Sequence, residues 1–229
     1  MKAPAFYALK AGGWNDYFNL LHPPYLIWHL SYVILGAAAA PRFHAERLGA
    51  TLLAFALAVG ISSHALDELK GRPLRTQVPR THLICLASGA LVAAAALGVT
   101  GAVLVDSWLL AFVGAGTVLV VTYNLEMLGG RLHNRFWFGL AWGAFPALTG
   151  YWAQAGSIGY VAGLAAAVCL ALTLAQSYLS RKAKSVRRLI ERPSEMDIRR
   201  LRTYEWTLCA VSIVLPTAAT GILLARLVR

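Results

Sequence analysis

His64, Asp67 and Glu68 stand at i, i+3 and i+4 within the stretch Ser62 to Thr76, a spacing that brings their side chains to one face of a helix. An imidazole and two carboxylates gathered in this way offer oxygen ligands for a hard divalent cation, with a group for proton transfer beside them. Lys70, Arg72, Arg75 and Arg80 follow closely. Arg72 lies nearest the acids, and its guanidinium fork matches phosphate oxygens. Acids and cations together suit diphosphate chemistry, with Asp67 as the main Mg2+ ligand and Glu68 as an auxiliary ligand or base. A second polar group, Tyr123, Asn124, Glu126 and, after the turn at Gly129-Gly130, His133, can set hydrogen bonds and one more carboxylate over the same site. The competing readings are an interfacial ion pair for the acids, and an aromatic belt with a turn for the second group. His22 and His29 read as packed interhelical hydrogen-bonding residues.

These residues need elements that bring them together, and the chain supplies seven apolar stretches, at about Leu21–Ala40, Leu48–Leu66, His82–Val103, Ser107–Leu125, Phe136–Ala153, Gly159–Leu179 and Tyr204–Leu224. Their Ala/Leu/Gly-rich pattern lacks the alternation of a barrel strand, and lipid admits only helices or closed barrels. The expected fold is a single all-α integral membrane domain over residues 1–229, a seven-transmembrane-helix bundle. Residues 1–19 read as an interfacial segment with no cleavage site, their aromatics at headgroup level and Lys2 and Lys10 on the cytoplasmic side. Residues 181–203 read as a basic cytoplasmic loop. It carries nine Lys and Arg against Glu191, Glu195 and Asp197.

With 58% hydrophobic and 14% charged residues among 229, and a mean hydropathy of +0.59, the chain is too apolar for an ordinary soluble domain. The net charge of +11 lies between the apolar stretches rather than along one soluble face, which argues against nucleic acid. With the N-terminus inside, 17 of the 21 Lys and Arg residues fall on the inner side, the asymmetry expected of cytoplasmic loops. Both polar groups then face the cytoplasm, and the plasma (inner) membrane is the expected location. Cys85, Cys169 and Cys209 have no metal-binding spacing and read as small core hydrophobes. A retinal-binding receptor is excluded, because Tyr204–Leu224 has no lysine for a Schiff base.

The run Ser63-His64-Ala65-Leu66-Asp67-Glu68-Leu69-Lys70-Gly71, followed by Arg72-Pro73-Leu74, resembles the Asn-Asp-x-x-Asp-x-x-x-Asp motif and trailing Arg-Pro-Leu of the UbiA superfamily of intramembrane prenyltransferases. Asp67 and the Arg-Pro-Leu are kept, while Ser63, His64 and Gly71 replace an Asn and two Asp. Tyr123 is similar to the tyrosine that members carry at the end of the fourth span, and Gly139, Gly143 and Gly150 echo their fifth. No second aspartate-rich motif follows the sixth span. The resemblance implies an enzyme that transfers a prenyl group from an allylic polyprenyl diphosphate to an aromatic or lipid acceptor with Mg2+. In it, His64, Asp67, Glu68, Tyr123 and Glu126 act at the reacting centre, and Arg72, Arg75, Asn124, Arg131 and His133 bind substrate. Arg72, Arg75 and Arg131 would replace part of the missing metal charge. Members have more spans, so an incomplete acceptor-side wall, closed by dimerisation, is expected. The alternatives are a terpene cyclase of the same fold and a non-catalytic lipid-binding or partner protein with a degenerate site.

Overall fold

The computed structural model describes residues 6–188 and 194–228; Lys2 and Glu191, named above, lie outside the described residues. Among the described residues all regular structure is helical. A short α1 (Trp14–Leu20) precedes α2 (Pro23–Ala39). Next, α3 (Ala45–Phe55) widens into a π stretch (Ala56–Ser63) and continues as α4 (His64–Gly71). Then come α5 (Arg80–Leu104), α6 (Leu109–Asn124) and α7 (Arg135–Gly139), the last running through a π turn (Leu140–Ala144) into α8 (Phe145–Ala155). The chain closes with α9 (Tyr160–Arg188) and α10 (Glu195–Leu227). Four helical runs, Ala45–Gly71, Arg80–Leu104, Tyr160–Arg187 and Glu195–Leu227, are long and apolar enough to cross a membrane, and Leu109–Asn124 is a shorter apolar helix.

The centre of the bundle is α2. It begins at Pro23-Pro24, where the missing proline N–H costs no helical hydrogen bond. Lipid gives apolar helices no hydrophobic reason to associate, so close packing through small residues must do it. Between α2 and α8 that packing is reciprocal. A Cβ at Gly36 would stand 2.0 Å from the Ala147 carbonyl oxygen, and one at Gly150 2.4 Å from that of Val33. Trp28, Tyr32, Val33 and Ala37 are buried on the same helix. Arg226, near the end of α10, donates to the carbonyls of Ala38 and Ala40, satisfying the last carbonyls of α2.

The structure departs from the sequence reading at the basic stretch 181–203, which is helix on both sides of residues 189–193. Residues 181–188 extend α9, since Arg, Lys and Ala are good helix formers and cations complement a helix C-terminus. The start of α10 is fixed by a capping box: Ser194 Oγ accepts from Asp197 N at 3.1 Å, and Asp197 Oδ2 accepts from Ser194 N at 3.3 Å. Arg187 ties the two helices together, donating to Glu205 Oε1 from Nε at 2.9 Å. Cys169 is buried, but Cys85 and Cys209 are on outward faces.

Candidate functional site at one end of the bundle

The end of α4, the loop after it, the end of α6, the N-terminal segment and the end of α9 meet at one end of the bundle. Every non-glycine residue with positive φ among the described residues, His22, Arg72, Arg75, Glu126 and Leu128, belongs to these segments or their loops. Such backbone strain persists only where surrounding structure holds it, and it concentrates at functional sites.

The two polar groups singled out in the sequence are joined there. Lys70 Nζ lies 3.8 Å from Glu126 Oε2, and His133 Nε2 4.0 Å from Glu126 Oε1. Ser63 Oγ donates to Asn124 Oδ1 at 3.1 Å, and Asn124 Nδ2 donates to Val120 O at 2.7 Å. Asn124 is thereby engaged between helices. The Tyr123 ring stacks on His133, centroids 4.6 Å apart, and packs with Leu66, Phe138 and Trp142. His64 stacks on His22 at 4.3 Å, and its Nδ1 donates to Gly60 O at 3.1 Å. His29 Nδ1 donates to Trp142 O at 2.8 Å, an interhelical bond.

Asp67 and Glu68 point to different tasks, as consecutive residues on a helix must, since they lie about 100° apart. Glu68 is buried and accepts three hydrogen bonds from the following loop: Leu74 N at 3.1 Å, Thr76 N at 2.8 Å and Thr76 Oγ1 at 2.8 Å. Arg72 closes the same loop, donating to Thr76 O at 2.8 Å and Val78 O at 2.9 Å. The N-terminal segment is stitched over it. Buried Asp16 accepts from Gly12 N at 3.0 Å and Gln77 N at 2.8 Å, and Tyr17 OH meets His82 Nδ1 at 2.7 Å. Arg75 and Arg131 are exposed in their loops.

Asp67 opens into a cavity of about 80 Å³. Tyr7, His22 and Tyr25 line it from the N-terminal side, and Ser180, Lys184 and Arg187 from α9. Tyr7 OH donates to His22 Nδ1 at 2.5 Å, and burial, aided by nearby Tyr25, pushes the Tyr7 phenol well above its ordinary value, so it stays a proton donor at neutral pH. The sequence reading missed Tyr7, Tyr25, Ser180 and Lys184. One signal was legible, the polar residues Gln176, Ser180 and Lys184 at four-residue spacing where the apolar sixth stretch gives way to basic residues.

As a magnesium site the donor set is thin. Among the described residues no group of three or more His, Cys, Asp and Glu is placed to hold a metal ion. With Glu68 engaged by the loop, Asp67 remains as the acid facing the cavity. Magnesium carried by a diphosphate needs only one or two protein carboxylates, so Asp67 fits as its protein ligand and Glu68 does not.

A second, apolar groove of about 510 Å³ runs between α3 with its π stretch, α5, α6 and α8. Ala58, Ala94, Gly98, Phe112, Trp142 and Phe145 are among its walls. Leu91 to Leu104 of α5 line it over roughly 20 Å at 1.5 Å per residue. At one end it stops against Val120 and Trp142, which pack with Leu66 and Tyr123 beside the polar site. The groove and the small cavity share no lining residue.

No family model and no solved structure matches the chain. It is 30% identical over 173 residues to a protoheme IX farnesyltransferase of Nocardioides sp., an alignment covering 69% of this chain and 54% of that protein. The chain thus spans about half the length of the curated relative it matches. Together with the apolar helices, this likeness marks an integral membrane protein. On that likeness the chain belongs to the UbiA superfamily of intramembrane prenyltransferases.

Proposed function

We propose that the protein is a membrane-embedded prenyltransferase that moves a prenyl group from an allylic polyprenyl diphosphate to an aromatic or lipid acceptor. The observation that carries this reading is the pairing of a prenyl-sized apolar groove with a polar cavity holding Asp67 and basic residues at the neighbouring end of the bundle. The groove volume lies in the usual range for small-ligand sites, and its apolar walls match an aliphatic chain. Leu66 and Tyr123 pack against Val120 and Trp142 of the groove wall, and the allylic carbon would react beside them.

In the reaction the allylic C–O bond breaks with its electron pair leaving on the diphosphate. A nucleophilic carbon or oxygen of the acceptor then bonds to the allylic carbon, and the proton it displaces leaves with diphosphate or to water. Asp67 would hold the diphosphate-borne magnesium, whose charge stabilises the leaving group. Around it, Tyr25 offers a hydroxyl, and Lys70, Glu126 and His133 fix the rim. The chain is read as crossing the membrane seven times, with its N-terminus and the polar end in the cytoplasm, following the charge asymmetry.

The relative's name makes farnesyl diphosphate the first donor to try and a haem the first acceptor. The test uses protein in lipid nanodiscs with labelled prenyl diphosphates of several lengths, with and without Mg2+, and a panel of haem, quinone-precursor and lipid acceptors. Label transferred to an acceptor, and lost in Asp67→Ala, is the expected result. Label converted without an acceptor would mean a cyclase, and no conversion at any chain length would leave a non-catalytic lipid-binding protein.

A further inference from the structure

The geometry points to the basic end of α9 as a phosphate-binding wall: Lys184, with Arg187 beside it, holds the phosphate end of a ligand in the small cavity that Asp67 also lines. This rests on the proposed function only for the identity of the phosphate's carrier. Asp67 and Lys184 line one cavity, yet neither carboxylate nor ammonium makes a hydrogen bond or ion pair among the described residues. Asp67 is half-buried and Lys184 exposed, and opposite charges lining one cavity can share a ligand there. The cavity's roughly 80 Å³ admits about five water-sized groups, the scale of a phosphate or diphosphate.

The wall is continuous along α9. Gln176, Ser180 and Lys184, at successive four-residue steps, share one helix face. Ser180 Oγ lies 3.4 Å from Tyr25 OH. Gln176 is 5% exposed, and its Oε1 has no hydrogen-bond partner among the described residues, an acceptor one turn below the cavity that a protonated or hydroxylated ligand group can satisfy. Lysine is a compact point charge suited to phosphate oxygens. Arg187 is held by Glu205, at 2.9 Å from Nε, so its guanidinium is fixed at the cavity rather than swinging free. After the sixth apolar stretch, where the family's second acidic motif is expected, the chain thus presents ammonium and guanidinium. Anion binding by this wall does not require a metal ion.

The phosphate can arrive on a prenyl diphosphate or on an anionic lipid headgroup. The probe is inorganic diphosphate, titrated calorimetrically in EDTA against protein in zwitterionic nanodiscs. Wild type should bind, and Lys184→Gln should bind about ten- to hundredfold more weakly, the worth of one charge-assisted hydrogen bond. Lys184→Arg should recover most of the affinity, and because Lys184 has no partner among the described residues, all three should unfold at the same temperature. Anionic nanodiscs that weaken diphosphate binding in wild type but not in Lys184→Gln would identify a headgroup as a natural occupant of the same wall. Equal binding by wild type and Lys184→Gln, or binding that appears only with Mg2+, would overturn the proposal. Loss of prenyl transfer in Asp67→Ala alongside either result would leave the proposed function standing, whereas Lys184-dependent binding without transfer would leave this wall standing alone.

Discussion

Replacing Glu68 separates a carboxylate that builds the site from one that works in it. Glu68 takes three hydrogen bonds from the loop at Leu74 and Thr76, through both oxygens. Glu68→Ala strands two buried backbone N–H groups at about 1–3 kcal/mol each, or roughly 2–6 kcal/mol in all. Glu68→Gln keeps one oxygen for Thr76, which takes two of the three bonds, and turns its amide nitrogen toward Leu74 N, for about 1–3 kcal/mol. For a chain of this length each kcal/mol lowers the unfolding midpoint by roughly 2–4 °C. The expected order of midpoints, read by thermal unfolding in detergent, is therefore wild type, then Gln, then Ala. Magnesium dependence of whatever activity remains should be unchanged in Glu68→Gln. An unshifted midpoint with an altered magnesium dependence would refute the reasoning, because Glu68 would then be spending its charge on the ion rather than on the loop.

Other substitutions test the scaffold and the groove. Gly36→Val forces a side chain into the Ala147 carbonyl and should cost about 3 kcal/mol or more, while Gly49→Ala, on α3 with nothing within 4 Å of its Cβ position, should be neutral or gain up to about 1 kcal/mol; paired thermal unfolding checks both. Arg226→Ala removes the donors to Ala38 and Ala40 and should lower stability by about 1–2 kcal/mol. Ala95→Trp fills the groove, so long-chain prenyl diphosphates should lose affinity while inorganic diphosphate binds as before, measured by calorimetry on both ligands.

The membrane-helix class was legible because apolar runs and basic connections leave a strong compositional trace. The pairing of the Asp67 and Tyr123 regions was legible too, because both end an apolar run on the same expected side, and Lys70 now bridges to Glu126. The split between Asp67 and Glu68 was not, since a shared face at i and i+4 from His64 says nothing of a loop that folds back onto one acid. Nor was the role of the N-terminal segment: Asp16 is buried with a bond from Gln77, and Asn19 with bonds to Leu9 across the segment, where composition suggested only an interfacial strip. Hydropathy ended the sixth span near Leu179, but helix propensity carries α9 on to Arg188 and sets Lys184 at the cavity. The π stretch Ala56–Ser63 has no sequence signal at all.

The most direct measurement is diphosphate release from labelled farnesyl diphosphate by wild type, Asp67→Ala and Glu68→Gln in one nanodisc preparation, with haem supplied as acceptor. The account predicts release by wild type and by folded Glu68→Gln, and a loss of at least about a hundredfold in Asp67→Ala at an unchanged unfolding temperature. Release by Asp67→Ala at the wild-type rate would contradict it, because the cavity that Asp67 faces would then not be where the allylic bond breaks.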